Sequence, residues 1–318
     1  MARSRKGDKV DGWLVLDKPA GLSSAAAVGA VRRVFNAAKI GHGGTLDPLA
    51  TGVLPLALGE ATKTVAFAMD GQKTYRFIAR WGESRTTDDA EGDVLATCPH
   101  RPEEADIRAV LPRFHGDIDQ VPPVYSALKL AGRPAYARAR AGETVTMVPR
   151  RVRIDRFELD QIIDRDHASF VVVCGKGTYI RSLARDLARA LGTEAHLGAL
   201  RRLAVGPFRE GDAIPLEKLT SLGHSPARFT YLRPVETVLD DIPALAVTEA
   251  DSLRLRQGQA VQIRRAAHEH SLDHELGPDR VVLATAAGLP VALARIEPDT
   301  AGTAPGTALL RPLRVLNL

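Results

Sequence analysis

One carboxylate stands alone in an unusual stretch. Between Gly41 and Pro55 four glycines and two prolines punctuate the chain, and Asp47 is the only acid there, with none following until Glu60. A carboxylate can act as a nucleophile or general base, or it can simply cap a turn. For an isolated Leu-Asp-Pro the cap is the ordinary explanation. Here Pro48 biases Asp47 toward extended backbone, which holds its side chain out from a stiff turn. The glycines permit dihedrals closed to other residues and let a ligand approach the main chain. Three further residues have types suited to chemistry. His42 stands between Gly41 and Gly43, Tyr75 lies in an aromatic-rich run, and Arg181 falls in the first turn of a helix. A cation in that position works against the helix dipole, so something must hold it there.

These residues need elements to position them. Gly12 to Leu16 reads as a short strand, followed by a Pro19–Gly21 turn and a helix capped by Ser23 or Ser24 that runs to about Asn36. The apolar run Val53 to Leu58 reads as a buried strand anchoring the Asp47 loop. A helix start near Glu60 precedes Lys73 to Arg80, which alternates as a strand and leaves Tyr75 half buried with its hydroxyl wet. The charged stretch from Arg80 to Asp93 lacks calcium-loop spacing and reads as a solvated loop. Residues 102–114 read as a short helix. Phe170 to Val173 reads as a strand entering a glycine turn. An amphipathic helix follows, with Ile180, Leu183, Ala184, Leu187 and Leu191 on one face and Gly192 at its end.

The string from Gly41 to Lys63 resembles the catalytic loop of the TruB family of tRNA pseudouridine synthases, with the nucleophilic aspartate at Asp47. Lys18-Pro19-Ala20-Gly21-Leu22-Ser23-Ser24 and Lys176-Gly177-Thr178-Tyr179-Ile180-Arg181 are similar to two further motifs of that family. Thr45 stands where a ribosomal-RNA-modifying sister family carries Arg, which argues against the sister. The resemblance implies an α+β pseudouridine synthase fold, with a mixed, largely antiparallel central sheet and flanking helices and loops. It also implies a small C-terminal β-rich PUA-like domain. The implied division is a flexible basic leader over 1–11, a catalytic domain over 12–240 and an RNA-binding domain over 241–318. It implies isomerisation of uridine to pseudouridine at position 55 in the T-loop of tRNA, on a flipped-out base. Asp47, Tyr75 and Arg181 are the implied catalytic residues, with Arg181 pairing Asp47. His42, Tyr75, Tyr179, Leu200, Lys18 and Lys129 are the implied substrate contacts: His42 fills the gap left by the base, Tyr75 stacks on it and Leu200 touches the nucleoside. Lys18 would contact RNA or brace the loop.

Composition agrees with an anionic partner without proving one. The 318 residues carry 43 Lys and Arg against 38 Asp and Glu, a formal charge of +5. Residues 240–318 hold 8 basic and 10 acidic side chains, so the positive excess lies in the first 239. From Lys129 to Arg156 eight cations face only Glu143 and Asp155, with Tyr125 and Tyr136 nearby. That mixture suits phosphate contact, and Arg201 and Arg202 are further candidates for the RNA backbone. Cys98 and Cys174 offer neither a disulfide framework nor a zinc set. His268, His270 and His274 lie in a polar insertion with no supporting metal pattern. No apolar run is long enough to span a bilayer. The composition therefore reads as a cytoplasmic protein that avoids membranes and carries no cofactor or metal pattern; the family resemblance implies that it takes the T-arm of tRNA and works as a monomer without an obligatory protein partner. Two alternatives stay open: a catalytic subunit guided by a separate RNA, and an RNA chaperone in which modification is secondary.

Overall fold

The computed structural model describes residues 7–264, 280–299 and 307–318. The major elements of the first 205 residues are β1 (Gly12–Lys18), α1 (Ser24–Phe35), β2 (Ile40–His42), β3 (Thr51–Leu58), β4 (Lys73–Trp81), β5 (Gly116–Gln120), β6 (Arg150–Asp164), β7 (His167–Cys174), α2 (Ile180–Ala190) and β8 (Ala195–Val205). In space the sheet runs β1-β3-β8-β4-β7-β6-β5, with short strands added at the β1 edge. The β3–β8 pair is parallel, and the other neighbours along this path are antiparallel. The sheet is thus mixed and largely antiparallel, as expected.

Local chemistry explains the main elements. Ser23, with extended backbone, accepts from the Ala26 N–H and caps α1, which ends at Asn36 in the left-handed region. On β4 the side chains alternate: Tyr75, Phe77, Ala79 and Trp81 are buried, while Arg76 and Arg80 face out. Phe77 stacks on Phe170 of β7 at 5.2 Å between ring centres, and Phe157 of β6 closes the aromatic cluster. Helix α2 buries Ile180, Leu183, Ala184 and Leu187 against this core.

The C-terminal elements are β9 (Ala244–Ala246), α3 (Glu249–Arg256), β10 (Val261–Arg264), β11 (Val281–Ala286), β12 (Leu289–Pro298) and β13 (Thr307–Val315). The strands form a second sheet in the order β9-β11-β12-β13-β10 around their own apolar core. Leu283, Leu293 and Leu316 also pack with Trp13, Val53 and Phe208 of the large sheet. An apolar seam therefore joins the two.

Several expectations change. Residues 7–11 are not a free leader: Asp8 bridges to Ala37, and Val10 is buried. The helix expected near Glu60 begins as a 3-10 turn, Gly59–Lys63, before a short helix Val65–Asp70. The loop after β4 is not simply solvated. It contains a strand pair (Glu83–Arg85 with Val94–Thr97), and Asp89 inside it is buried. His268, His270 and His274 lie outside the described residues. No described helix is long and apolar enough to cross a membrane.

Candidate active site

Asp47 sits on the loop between β2 and β3, and the main chain around it is held at each step. Arg202, on β8 and 1% exposed, donates to the carbonyls of Gly44 at 3.1 Å, Thr45 at 3.2 Å and Val53 at 2.7 Å. Ser24 Oγ donates to the Leu46 carbonyl at 2.9 Å and accepts from the Leu46 N–H at 2.8 Å. Lys18 Nζ donates to the Pro48 carbonyl at 3.1 Å, and also to those of Pro19 and Leu22. The Gly21 N–H reaches the same Pro48 carbonyl at 2.8 Å. At Gly52 the backbone has φ +99°, and a Cβ would lie 2.2 Å from the Arg202 carbonyl, so no larger residue fits. These bonds give Asp47 a fixed base.

The side chain of Asp47 is fixed from the opposite wall. Arg181, in the first turn of α2 and 5% exposed, places Nη2 2.9 Å from Asp47 Oδ2. The same guanidinium reaches Asp89 Oδ2 at 3.5 Å and donates to the carbonyls of Thr87 at 2.9 Å and Tyr125 at 3.0 Å. That answers the question a cation at a helix N-terminus raises: two carboxylates and two carbonyls hold it against the dipole. Next to it, Arg185 on α2 pairs with Asp88 at 2.8 Å, tying the Arg85–Asp93 loop down a second time.

Two cavities meet at Asp47. One, of about 350 Å³, is walled by Asp47, Tyr75, Tyr179, Arg181, Leu200 and Arg202. The other, of about 490 Å³, shares Asp47 and Arg181 and adds His42, Glu91, Tyr136 and Arg140. Burial pushes the Tyr75 phenol above its ordinary pKa, so it is protonated at neutral pH; the adjacent Arg202 guanidinium opposes that shift. Burial, and then the Arg202 charge, hold the His42 imidazole below its ordinary pKa, which leaves it neutral at pH 7. Lys73, at the floor of the first cavity, is lowered chiefly by burial and donates to the carbonyls of Met69 and Gly71.

The structure thus brings together Asp47, Tyr75, Tyr179, Arg181 and Leu200, and sets His42 in the adjoining cavity. His42 does not project freely. It is half-buried, pairs with Leu56 across β2–β3, and its Nδ1 is enclosed without a partner. Tyr75 is buried rather than half wet. Lys18 is fully buried on three carbonyls, so of its two expected roles bracing is the one the geometry allows. Lys129 is exposed on a two-strand hairpin outside the walls of both cavities. Arg201 and Arg202 do not face outward as a pair for RNA: Arg201 forks onto Asp17 at 3.0 Å and reaches Glu210 at 2.6 Å, while Arg202 is enclosed. Of the eight cations between 129 and 156, Arg133, Arg138, Arg153 and Arg156 have carboxylate partners. Ser24, Asp89 and the bracing role of Arg202 were not apparent in the sequence.

Residues 32–180 match the family model described as TruB family pseudouridylate synthase (N terminal domain). Residues 181–240 match the tRNA pseudouridylate synthase B C-terminal domain. The chain is 48% identical over 318 residues to tRNA pseudouridine synthase B of Rhodospirillum rubrum, covering all of both chains. It is 51% identical over 314 residues to tRNA pseudouridine synthase B of Rhodopseudomonas palustris, covering 97% of this chain and 81% of that one. A chain in the crystal structure of a Cbf5-Nop10-Gar1 complex superposes with a TM-score of 0.71 at 26% identity, over 96% of this chain and 84% of that one.

Proposed function

We propose, for a chain that belongs to the TruB family of tRNA pseudouridine synthases and is therefore an RNA-modifying isomerase, that its target is the uridine at position 55 in the T-loop, converted with Asp47 as nucleophile. The observation that carries this reading is the Asp47–Arg181 pair, 2.9 Å apart at the edge of the cavity walled by Tyr75, Tyr179 and Leu200. The pair fixes in place the carboxylate that a nucleophile must present.

The reaction breaks the N1–C1′ bond and forms a C5–C1′ bond. N1 gains a proton and C5 loses one, so atoms and electrons balance within the nucleotide and solvent. The target base leaves its stack, which is cheapest in a loop, and enters the Tyr75–Leu200 cavity. Asp47 attacks C6 of the base or C1′ of the ribose, or assists elimination to a glycal; all three need a carboxylate held at this seam. Arg181 keeps it aimed. Tyr75 stacks on the uracil and is the candidate to move the C5 proton, with Arg202 beside its phenol to stabilise the deprotonated form. Tyr179 and Leu200 bound the base, and His42 fills the space it vacated.

Residues 12–240 act as the catalytic domain, and residues 241–318 as a PUA-like RNA-binding domain. Lys129, Arg140, Arg150 and Arg151, which have no carboxylate within ion-pair distance among the described residues, supply phosphate contacts along the T-arm. The protein works as a cytoplasmic monomer without a protein partner. Relatives that match along the whole chain and are named tRNA pseudouridine synthase B favour this over the RNA-guided subunit.

The test is tritium release from C5-labelled uridine in a T-arm hairpin, with the purified chain and its Asp47→Asn variant. Wild type should release tritium without added proteins, and the variant should bind the hairpin but release none. Hairpin binding without release by the wild type would sink the reading for this substrate. Release only after partner proteins are added would favour the guided subunit.

A further inference from the structure

Three buried side-chain polar atoms among the described residues have no hydrogen-bond partner. Two of them, Ser126 Oγ and His42 Nδ1, belong to residues that wall the cavities beside Asp47. Ser126 is 3% exposed, and its main chain is fully engaged. Its N–H donates to the Val124 carbonyl at 3.0 Å, and its carbonyl accepts from the Tyr136 N–H at 3.0 Å. The carbonyl of the preceding residue, Tyr125, accepts from Arg181, so this segment is tied to the cation that holds Asp47. A hydroxyl on fixed backbone, in a residue that lines the same cavities as Asp47, is left unpaired. Native proteins pair most buried polar groups, so one unpaired in a substrate cavity calls for a partner on the substrate.

Position narrows what that partner is. Ser126, like Asp47, walls both cavities and so stands at their seam. If the base occupies the Tyr75–Leu200 cavity, as proposed above and on which this step rests, the ribose lies at that seam, because Asp47 must reach C6 or C1′. The 3′ and 5′ oxygens of an internal nucleotide are esterified. The 2′-hydroxyl is the remaining ribose group that both donates and accepts, and it is what separates RNA from DNA. We infer that Ser126 Oγ hydrogen-bonds the 2′-hydroxyl of the target nucleotide, making Ser126 a specificity-determining contact for ribose.

The test is a double-mutant cycle on binding, made in the Asp47→Asn protein so that no turnover intervenes. The Kd of a T-arm hairpin carrying uridine or 2′-deoxyuridine at the target is measured with Ser126 and with Ser126→Ala. Ser126→Ala should weaken the uridine hairpin about fivefold to tenfold and leave the 2′-deoxyuridine hairpin within about twofold. Equal losses on both hairpins, or no loss on the uridine hairpin, would overturn the contact. The melting temperature of Ser126→Ala should equal that of its parent. A fall of several degrees would show that the hydroxyl is partnered inside the protein, and would also overturn it. Tritium release by the wild type is scored separately. Binding without release defeats the isomerase reading on this hairpin while the cycle still decides Ser126, and no binding by any form defeats both.

Discussion

Asp89 faces Arg181 across 3.5 Å, on a guanidinium whose other end meets Asp47 at 2.9 Å. The cation is therefore shared between a buried acid and a half-exposed one, the proposed nucleophile. Thr87 Oγ1 at 2.5 Å and the Glu91 N–H at 3.1 Å fix the Asp89 carboxylate from behind. Asp89→Asn retains the shape and can keep the Thr87 bond, but it removes the charge that centres Arg181. Single-turnover conversion should fall about 10-fold to 100-fold, with hairpin affinity nearly unchanged, because misplacement of a reacting group acts on rate. Unchanged turnover would show that Asp47 alone orients the guanidinium.

Arg181 should not tolerate the usual conservative replacement. Its planar fork meets four acceptors, Asp47, Asp89, Thr87 and Tyr125, and an ammonium cannot meet them all. Arg181→Lys should lose at least about 100-fold in conversion rate while remaining folded. Arg181→Met leaves the buried Asp89 carboxylate uncompensated and should cost about 3 kcal/mol, read as a lower urea midpoint. Activity of Arg181→Lys within a few-fold of wild type would remove the case for the fork.

Tyr75 offers a test that separates stacking from proton transfer. It walls the cavity beside Asp47, and burial holds its phenol protonated beside Arg202. Tyr75→Phe keeps the ring and removes the hydroxyl. The expected result is a rate loss of about 100-fold or more with hairpin affinity within a few-fold, in the range that general acid–base groups contribute. A variant of near wild-type rate would confine Tyr75 to stacking.

The Asp47–Arg181 pairing was legible through the family resemblance and most of its support was not, for a physical reason. Asp47 stands among glycines and prolines, and Arg181 at a helix start where a cation needs explanation; both signals are local. The groups that position them act at long range on main-chain carbonyls. Arg202 reaches Gly44, Thr45 and Val53 from across the sheet, and Lys18 reaches Pro48 thirty residues on. A carbonyl acceptor leaves no mark on residue type, so Arg202 looked available to RNA and Lys18 could be read as an RNA contact or as a brace. The acids at Asp88 and Asp89 looked solvated because their partners, Arg185 and Arg181, arrive nearly a hundred residues later. Strand β4 and helix α2 were read correctly because their apolar periods are visible within a dozen residues.

Lys18 gives a pH signature independent of catalysis. Burial lowers its pKa from the ordinary lysine value to about 8, although Asp47 pulls the other way. In the unfolded chain the same amine titrates near 10.4. A folded value below the unfolded one means that the native state binds fewer protons between these limits, so this group's contribution to stability rises with pH from about 8 to about 10.4. Below pH 8 both states are protonated and the burial penalty is present in full. Lys18→Met removes the titration. The unfolding free energy of wild type minus that of Lys18→Met should therefore climb across pH 8 to 10, by on the order of 2–3 kcal/mol. It should be flat between pH 6 and 7. Denaturant titrations at each pH read this directly. A difference constant from pH 6 to 10 would mean that Lys18 keeps its ordinary pKa, and that its three carbonyls compensate the ammonium as well as water does.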